Sequence, residues 1–220
     1  MLRCNIDLSS LTQADFICGD CKSCEPTSAL NYPFERDLTT SNELVNALYT
    51  LIEKNTNYKC KEPEVVKNPD IRVVDVTNDD RIICRVEAKY LEGKAFMKTK
   101  EKLVDKLEPK ETLVVDEPKL LSYFECKKND FKNYNRSIPI YVVWKFDRPC
   151  ADFGGITVFQ EIDVLKRIYN ERGRNRAFER KTADSDIVNG QKLGITAKYH
   201  FSLRECRPIE ELIPEILAIR

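Results

Sequence analysis

Two short polar clusters stand out against their surroundings: Pro69-Asp70 and, after sixteen intervening residues, Glu87-Ala88-Lys89. Between them the chain reads IRVVDVTNDDRIICRV, a strand, a turn and a second strand. Alternation along the second strand puts Glu87 and Lys89 on one face and Ala88 on the other. Asp70, at the mouth of the first strand, can converge on them. Two carboxylates in one cleft repel each other unless a divalent cation sits between them. A hard cation such as Mg²⁺ takes oxygen ligands and keeps some of its waters. The adjacent lysine can then orient or help deprotonate an attacking water and balance developing phosphate charge. The same residues also allow a blander reading, a solvated cross-strand ion pair worth at most about 1 kcal/mol. Glu87 argues against it, because it follows the apolar run IICRV, where an unpaired carboxylate is costly. Asp75, mid-strand beside valines, is a rival to Asp70.

In this strand–turn–strand context the pattern resembles the PD-(D/E)XK nuclease superfamily, over residues 40 to 146. The resemblance implies a restriction-endonuclease-like fold and hydrolysis of phosphodiester bonds in nucleic acid, DNA first, by metal-activated water. It implies Mg²⁺ or Mn²⁺ held by Asp70, Glu87 and the Ala88 backbone carbonyl, with Lys89 as the catalytic lysine. Glu43, on the preceding helix, matches an acidic residue that supports the metal through water. A helix bearing Tyr123 before the strand PIYVVW also fits the family order, although Lys119 stands where some subfamilies carry a glutamine. The alternative function is a catalytically inactive nucleic-acid-binding module with a structural zinc site.

Cys18, Cys21 and Cys24 form C-x-x-C-x-x-C, with Cys4 fourteen residues before Cys18. Two-residue spacers let thiolates curl around one ion, and a remote fourth thiolate can close a tetrahedral set. Zn²⁺ and an iron–sulfur cluster both fit, and free thiols stay open as a third reading. Either metal would be structural, since four thiolates leave no position for water. Cys60, Cys84, Cys126, Cys150 and Cys206 are scattered and read as small buried hydrophobes.

From Lys166 to Lys181 the chain carries seven basic residues against two acids. Arg172, Arg174, Arg176, Arg180 and Lys181 are candidates for tracking a phosphate backbone, with a solvated, internally paired face as the other reading. His200, the one histidine, alternates with apolar residues in AKYHFSL and reads as a satisfied strand residue.

These residues need a scaffold, and 220 residues suffice for one sizeable α/β domain. Leu44, Leu48, Leu51 and Ile52 recur at helical spacing over 39–55, with Ser41 or Asn42 as N-cap. The hairpin follows at 71–90, with Val73, Ile83 and Val86 on a buried face. A charged helical segment spans 93–107 and is broken by Pro109; a further helix opens at 117 with Pro118 in its first turn. PIYVVWKF, at 139–146, reads as an interior strand. Residues 156–173 mix strand and helix signals, 194–203 read as a strand and 208–219 as a helix. The order predicts an α/β fold with a mixed central β-sheet flanked by helices. A cysteine-rich metal-binding segment at 1–30 would precede the nuclease-like domain at 31–220.

Thirty-six basic and thirty-six acidic side chains cancel, which excludes a whole-molecule basic field for gripping nucleic acid. The longest apolar stretch, around 138–144, is far short of the roughly 20 residues of a membrane span. The opening MLRCNIDLSS has no apolar signal core, so an intracellular protein with no membrane partner is expected. Nothing in the chain specifies an oligomeric state.

Overall fold

Runs of β-branched and aromatic residues between 71 and 161 build the four inner strands of a six-stranded sheet, and the amphipathic segments around them supply its helical cover. The computed structural model describes residues 2–17, 34–65, 67–92, 99–147, 153–181, 187–188, 191–192 and 195–219. In chain order the elements are α1 (Phe34–Asn55), β1 (Lys59–Lys61), β2 (Ile71–Asp75), β3 (Arg81–Glu92), the single turn α2 (Thr99–Lys102), β4 (Thr112–Asp116) and α3 (Glu117–Tyr134). They continue with β5 (Ile140–Asp147), β6 (Ile156–Glu161), α4 (Ile162–Arg172), β7 (Ala177–Lys181), β8 (Ile187–Val188), β9 (Gln191–Lys192), β10 (Ile195–Ser202), β11 (Arg207–Pro208) and α5 (Leu212–Ala218).

The large sheet has the order β1-β2-β3-β5-β6-β11. Only the β3–β5 pair in it is parallel, so the sheet is mixed, as the sequence predicts. A crossover through α3 carries the chain from one parallel strand to the other. Alternation along β5 divides the core in two. Ile140, Val142, Trp144 and Phe146 face α3, α4 and a small sheet of order β4-β10-β7. Tyr141 and Val143 face the other way, with Val86, Ala88, Leu44, Leu48 and Ile52 of α1 and Leu212 and Ile216 of α5. The Trp144 indole N–H, donating to the Val114 carbonyl at 3.4 Å, joins the two sheets.

Two local expectations change. α1 begins at Phe34, so Ser41 and Asn42 lie inside the helix on exposed positions rather than capping it. Burial of Leu44, Leu48 and Ile52 holds the helix, and exposed polar residues ride on it. The charged segment before Pro109 is helical, among the described residues, for only Thr99–Lys102. There the Asp105 N–H donates to the Asn175 carbonyl at 3.3 Å and Lys106 turns to φ 48°, so a tertiary contact overrides helical propensity. The ambiguous stretch 156–173 resolves at Glu161, where the strand β6 gives way directly to α4.

Residues 2–17 lie on the domain body. Phe16 is fully buried and stacks on Phe153 with ring centroids 5.0 Å apart, and the Thr157 N–H donates to the Arg3 carbonyl at 2.7 Å. Among the described residues no helix is long and apolar enough to cross a membrane.

Candidate active site

Ile71 pairs with Val86 across the hairpin, and one step further Asp70 lies across from Glu87. The two halves lock together through reciprocal bonds. The Ala88 N–H donates to Asp70 Oδ2 at 2.9 Å, and the Asp70 N–H donates to Glu87 Oε2 at 3.3 Å. Lys89 Nζ donates to Glu87 Oε1. Asp70, Glu87 and Lys89 therefore meet at one mouth of the β2–β3 hairpin. Glu87 is only 1% exposed, and Asp70 and Lys89 are partly buried.

Burial and the neighbouring Glu87 push the Asp70 carboxyl up to about 6, opposed by the Ala88 N–H and the charges of Lys89 and Lys119. Burial alone would lower the Lys89 ammonium, but Glu87, Asp70 and Asp116 outweigh it and raise its pKa, so it is charged at neutral pH. The hydroxyl of Tyr123, on α3, is fully buried and faces the Glu87 carboxylate. Burial first, then Glu87, raise it far out of the titrating range. Lys119, one turn earlier on α3, places its ammonium 5.7 Å from the Tyr123 ring centroid.

A second polar layer lies on the same face of β3. Arg85, two residues before Glu87, is 2% exposed and grips Asp130 of α3 with two bonds, at 2.8 and 2.9 Å. Its third contact is with Glu64 at 2.8 Å, and Arg72 holds the other Glu64 oxygen at 2.9 Å. This fork ties the strand carrying Glu87 to the helix carrying Tyr123. Sequence reasoning missed it because Arg85 sits inside the apolar run IICRV and its partners are 21 and 45 residues away.

Other candidates lie elsewhere or are otherwise engaged. Asp75 closes the hairpin turn, accepting from the Thr77 N–H at 3.0 Å and the Thr77 hydroxyl at 2.6 Å. It sits at the far end of β2 from Asp70. Glu43 is exposed on α1, the helix covering the opposite sheet face from Tyr123, and no hydrogen bond links it to Asp70 or Glu87. Arg176 is buried between Asp105 (2.8 Å) and Glu205 (2.6 Å), so its guanidinium is not offered to a phosphate. Arg174 is exposed and bonded to Glu117 at 2.8 Å, and Arg172 lies 3.8 Å from Asp105. Arg180 and Lys181 belong to β7, but their side chains fall outside the description. His200 is buried as a strand residue, stacked on Phe178, with Nδ1 3.3 Å from the Arg176 carbonyl.

Cys18, Cys21, Cys24 and Cys150 lie outside the described residues. Cys4 is half-buried beside the main core, its thiol 3.7 Å from the Ile6 carbonyl, and burial raises its pKa. Cys84, Cys126 and Cys206 are buried free thiols and Cys60 is half-buried, consistent with packing roles. Among the described residues no group of three or more His, Cys, Asp and Glu has the geometry of a preformed metal site. Comparison with protein-family models, with curated proteins and with solved structures finds no match.

Proposed function

We propose that this chain is a divalent-metal-dependent nuclease of the PD-(D/E)XK type, with a restriction-endonuclease-like fold, acting on DNA. The observation that carries the reading is the meeting of Asp70, Glu87 and Lys89 at one hairpin mouth. The order of α1, the β2–β3 hairpin, α3 and β5 supports it as well, being the helix–hairpin–helix–strand order of the resemblance. The donor set suits a hard cation: two adjacent carboxylates, with Asp70 Oδ1 left over once Oδ2 has accepted from Ala88. Asp70 and Glu87 would hold Mg²⁺ or Mn²⁺, with the Ala88 carbonyl as a further oxygen. Such an ion supplies Lewis-acid activation of a water for in-line attack on a phosphodiester. Lys89 enters as the ammonium, so it serves by orienting water and balancing charge on the phosphate rather than as a base.

Incubation of labelled DNA with the protein and Mg²⁺ or Mn²⁺ tests this. Cleavage that depends on metal and falls at least about 100-fold in Lys89→Ala and Asp70→Asn is expected. Full activity in either variant rejects the assignment. The second reading is a catalytically inactive nucleic-acid-binding module. The Lys89–Glu87 contact favours it, since it neutralises one carboxylate without a metal. Binding without cleavage under any divalent ion would select it.

In both readings Cys4, Cys18, Cys21 and Cys24 form a structural centre, with Zn²⁺ or an iron–sulfur cluster. Thiolates suit either, and the centre would staple the first thirty residues to the domain.

A further inference from the structure

α3 carries a second chemical surface beyond the turn that bears Tyr123. Between α3 and α4 runs a groove of about 340 Å³ whose walls include Phe124, Lys127, Lys128, Phe131, Lys132 and Lys166. Phe131 is 56% exposed, the most exposed of the large apolar residues of α3. The groove continues along α4 into a hollow of about 460 Å³ bordered by Asp163, Lys166, Arg167, Asn170 and Glu171. Five basic residues (Lys127, Lys128, Lys132, Lys166 and Arg167) stand there against two acids (Asp163 and Glu171), a local excess of cations in a chain of zero net charge.

Internal pairing uses up only some of them. Lys127 is bonded to Glu161 at 3.0 Å and to Asp163 at 2.5 Å, and Lys128 lies 3.4 Å from Glu125. Lys132 and Lys166 have no carboxylate partner among the described residues, and Lys166 Nζ stands 5.7 Å from the Phe124 ring centroid. An exposed ring flanked by unpaired lysines offers a stacking face and phosphate contacts together, a combination suited to unpaired bases on a charged backbone. A peptide with acidic groups would use the lysines but would leave the flat Phe131 face without its best partner. Eight residues, about 12 Å of helix, separate Tyr123 from Phe131, so one strand could run from the hairpin mouth into the groove.

We propose that the α3–α4 groove binds single-stranded nucleic acid, with a base stacked on Phe131 and backbone phosphates on Lys132 and Lys166. This rests on the nuclease reading only for the class of ligand, and its test involves no hydrolysis. Fluorescence anisotropy of a fluorescein-labelled oligothymidylate of about 15 nucleotides, in EDTA, reads binding by the full chain. Phe131→Ala should weaken binding about tenfold. Lys132→Gln with Lys166→Gln should make the dependence of log affinity on log salt shallower by about 1.4. An abasic oligomer of equal length should bind wild type about as weakly as oligothymidylate binds Phe131→Ala. Wild type that binds oligothymidylate in EDTA yet cleaves no DNA with Mg²⁺ or Mn²⁺ rejects the hairpin assignment and leaves the groove standing. Wild-type affinity and salt slope in both groove variants, with native circular dichroism, overturns the proposal. So does a Phe131→Ala effect seen only as a change in self-association by size exclusion, which would make the groove a contact between copies. Metal-dependent cleavage alongside unaltered groove variants would reject the groove and leave the hairpin assignment intact.

Discussion

Burial and Glu87 hold the Asp70 carboxyl at about 6, well above the usual carboxylate range, so folding disfavours its charged form. The sign follows from linkage. The native state binds this proton more tightly than the unfolded chain, so the associated stability is present at low pH and is lost as pH rises through about 6. Metal-free protein should therefore gain stability in Asp70→Asn at about pH 7.5, by about 1–3 kcal/mol. The amide oxygen can still accept from Ala88. Urea denaturation in EDTA measures this, and a destabilised variant would mean that the charge is well accommodated without an ion. Mg²⁺ should reverse the order, stabilising wild type and leaving Asp70→Asn unmoved. The convergence itself was legible in the sequence, because strand alternation and a short turn fix which residues share a mouth. The part that Asp116 plays in raising the Lys89 ammonium, smaller than that of Glu87 and Asp70, was not, since Asp116 arrives from a strand 27 residues further on.

At the level of elements, the decisive contact is the fork from Arg85 on β3 to Asp130 on α3. Both groups are buried, so removing Arg85 leaves the Asp130 carboxylate charged and without its partner, whereas removing Asp130 leaves Arg85 still paired with Glu64. Arg85→Met should destabilise the fold by about 3–5 kcal/mol in urea titration, whereas replacing Arg85 and Asp130 together by Met and Leu should lose much less. Equal losses in the single and double variants would show that packing, not charge pairing, joins the helix to the sheet. The hairpin, the interior strand β5 and the terminal helix were readable from period and turn chemistry. The end of the helical pattern at 103–107 was not. Leu103 and Leu107 keep helical spacing, but the chain is drawn out of the helix by Asn175, some seventy residues later.

Across the whole molecule, the described N-terminal residues complete the core on the α3 side. Phe16 and Leu8 share it with Trp144, Phe146 and Phe153. Phe16→Ala should cost about 3–5 kcal/mol, read by thermal or urea unfolding. If the four N-terminal cysteines hold a metal, protein purified without chelator should contain about one zinc or one cluster per chain, and Cys21→Ser should lose it. Metal-free wild type of unchanged stability would leave Phe16 and its neighbours as the whole anchor. The sheet also carries an irregularity between Val73 and Val74, where Val73 pairs with Cys84 and Val74 with Ile82, leaving Ile83 as the extra residue. That makes the hairpin unequal in its tolerance of lost codons. Deleting Ile83 would erase the bulge and let Val73–Cys84 and Val74–Ile82 become consecutive pairs, with Glu87 still turned toward Tyr123. Deleting Val86, three positions nearer the mouth, would turn the strand over and drive the Glu87 carboxylate in among Leu44 and Leu48.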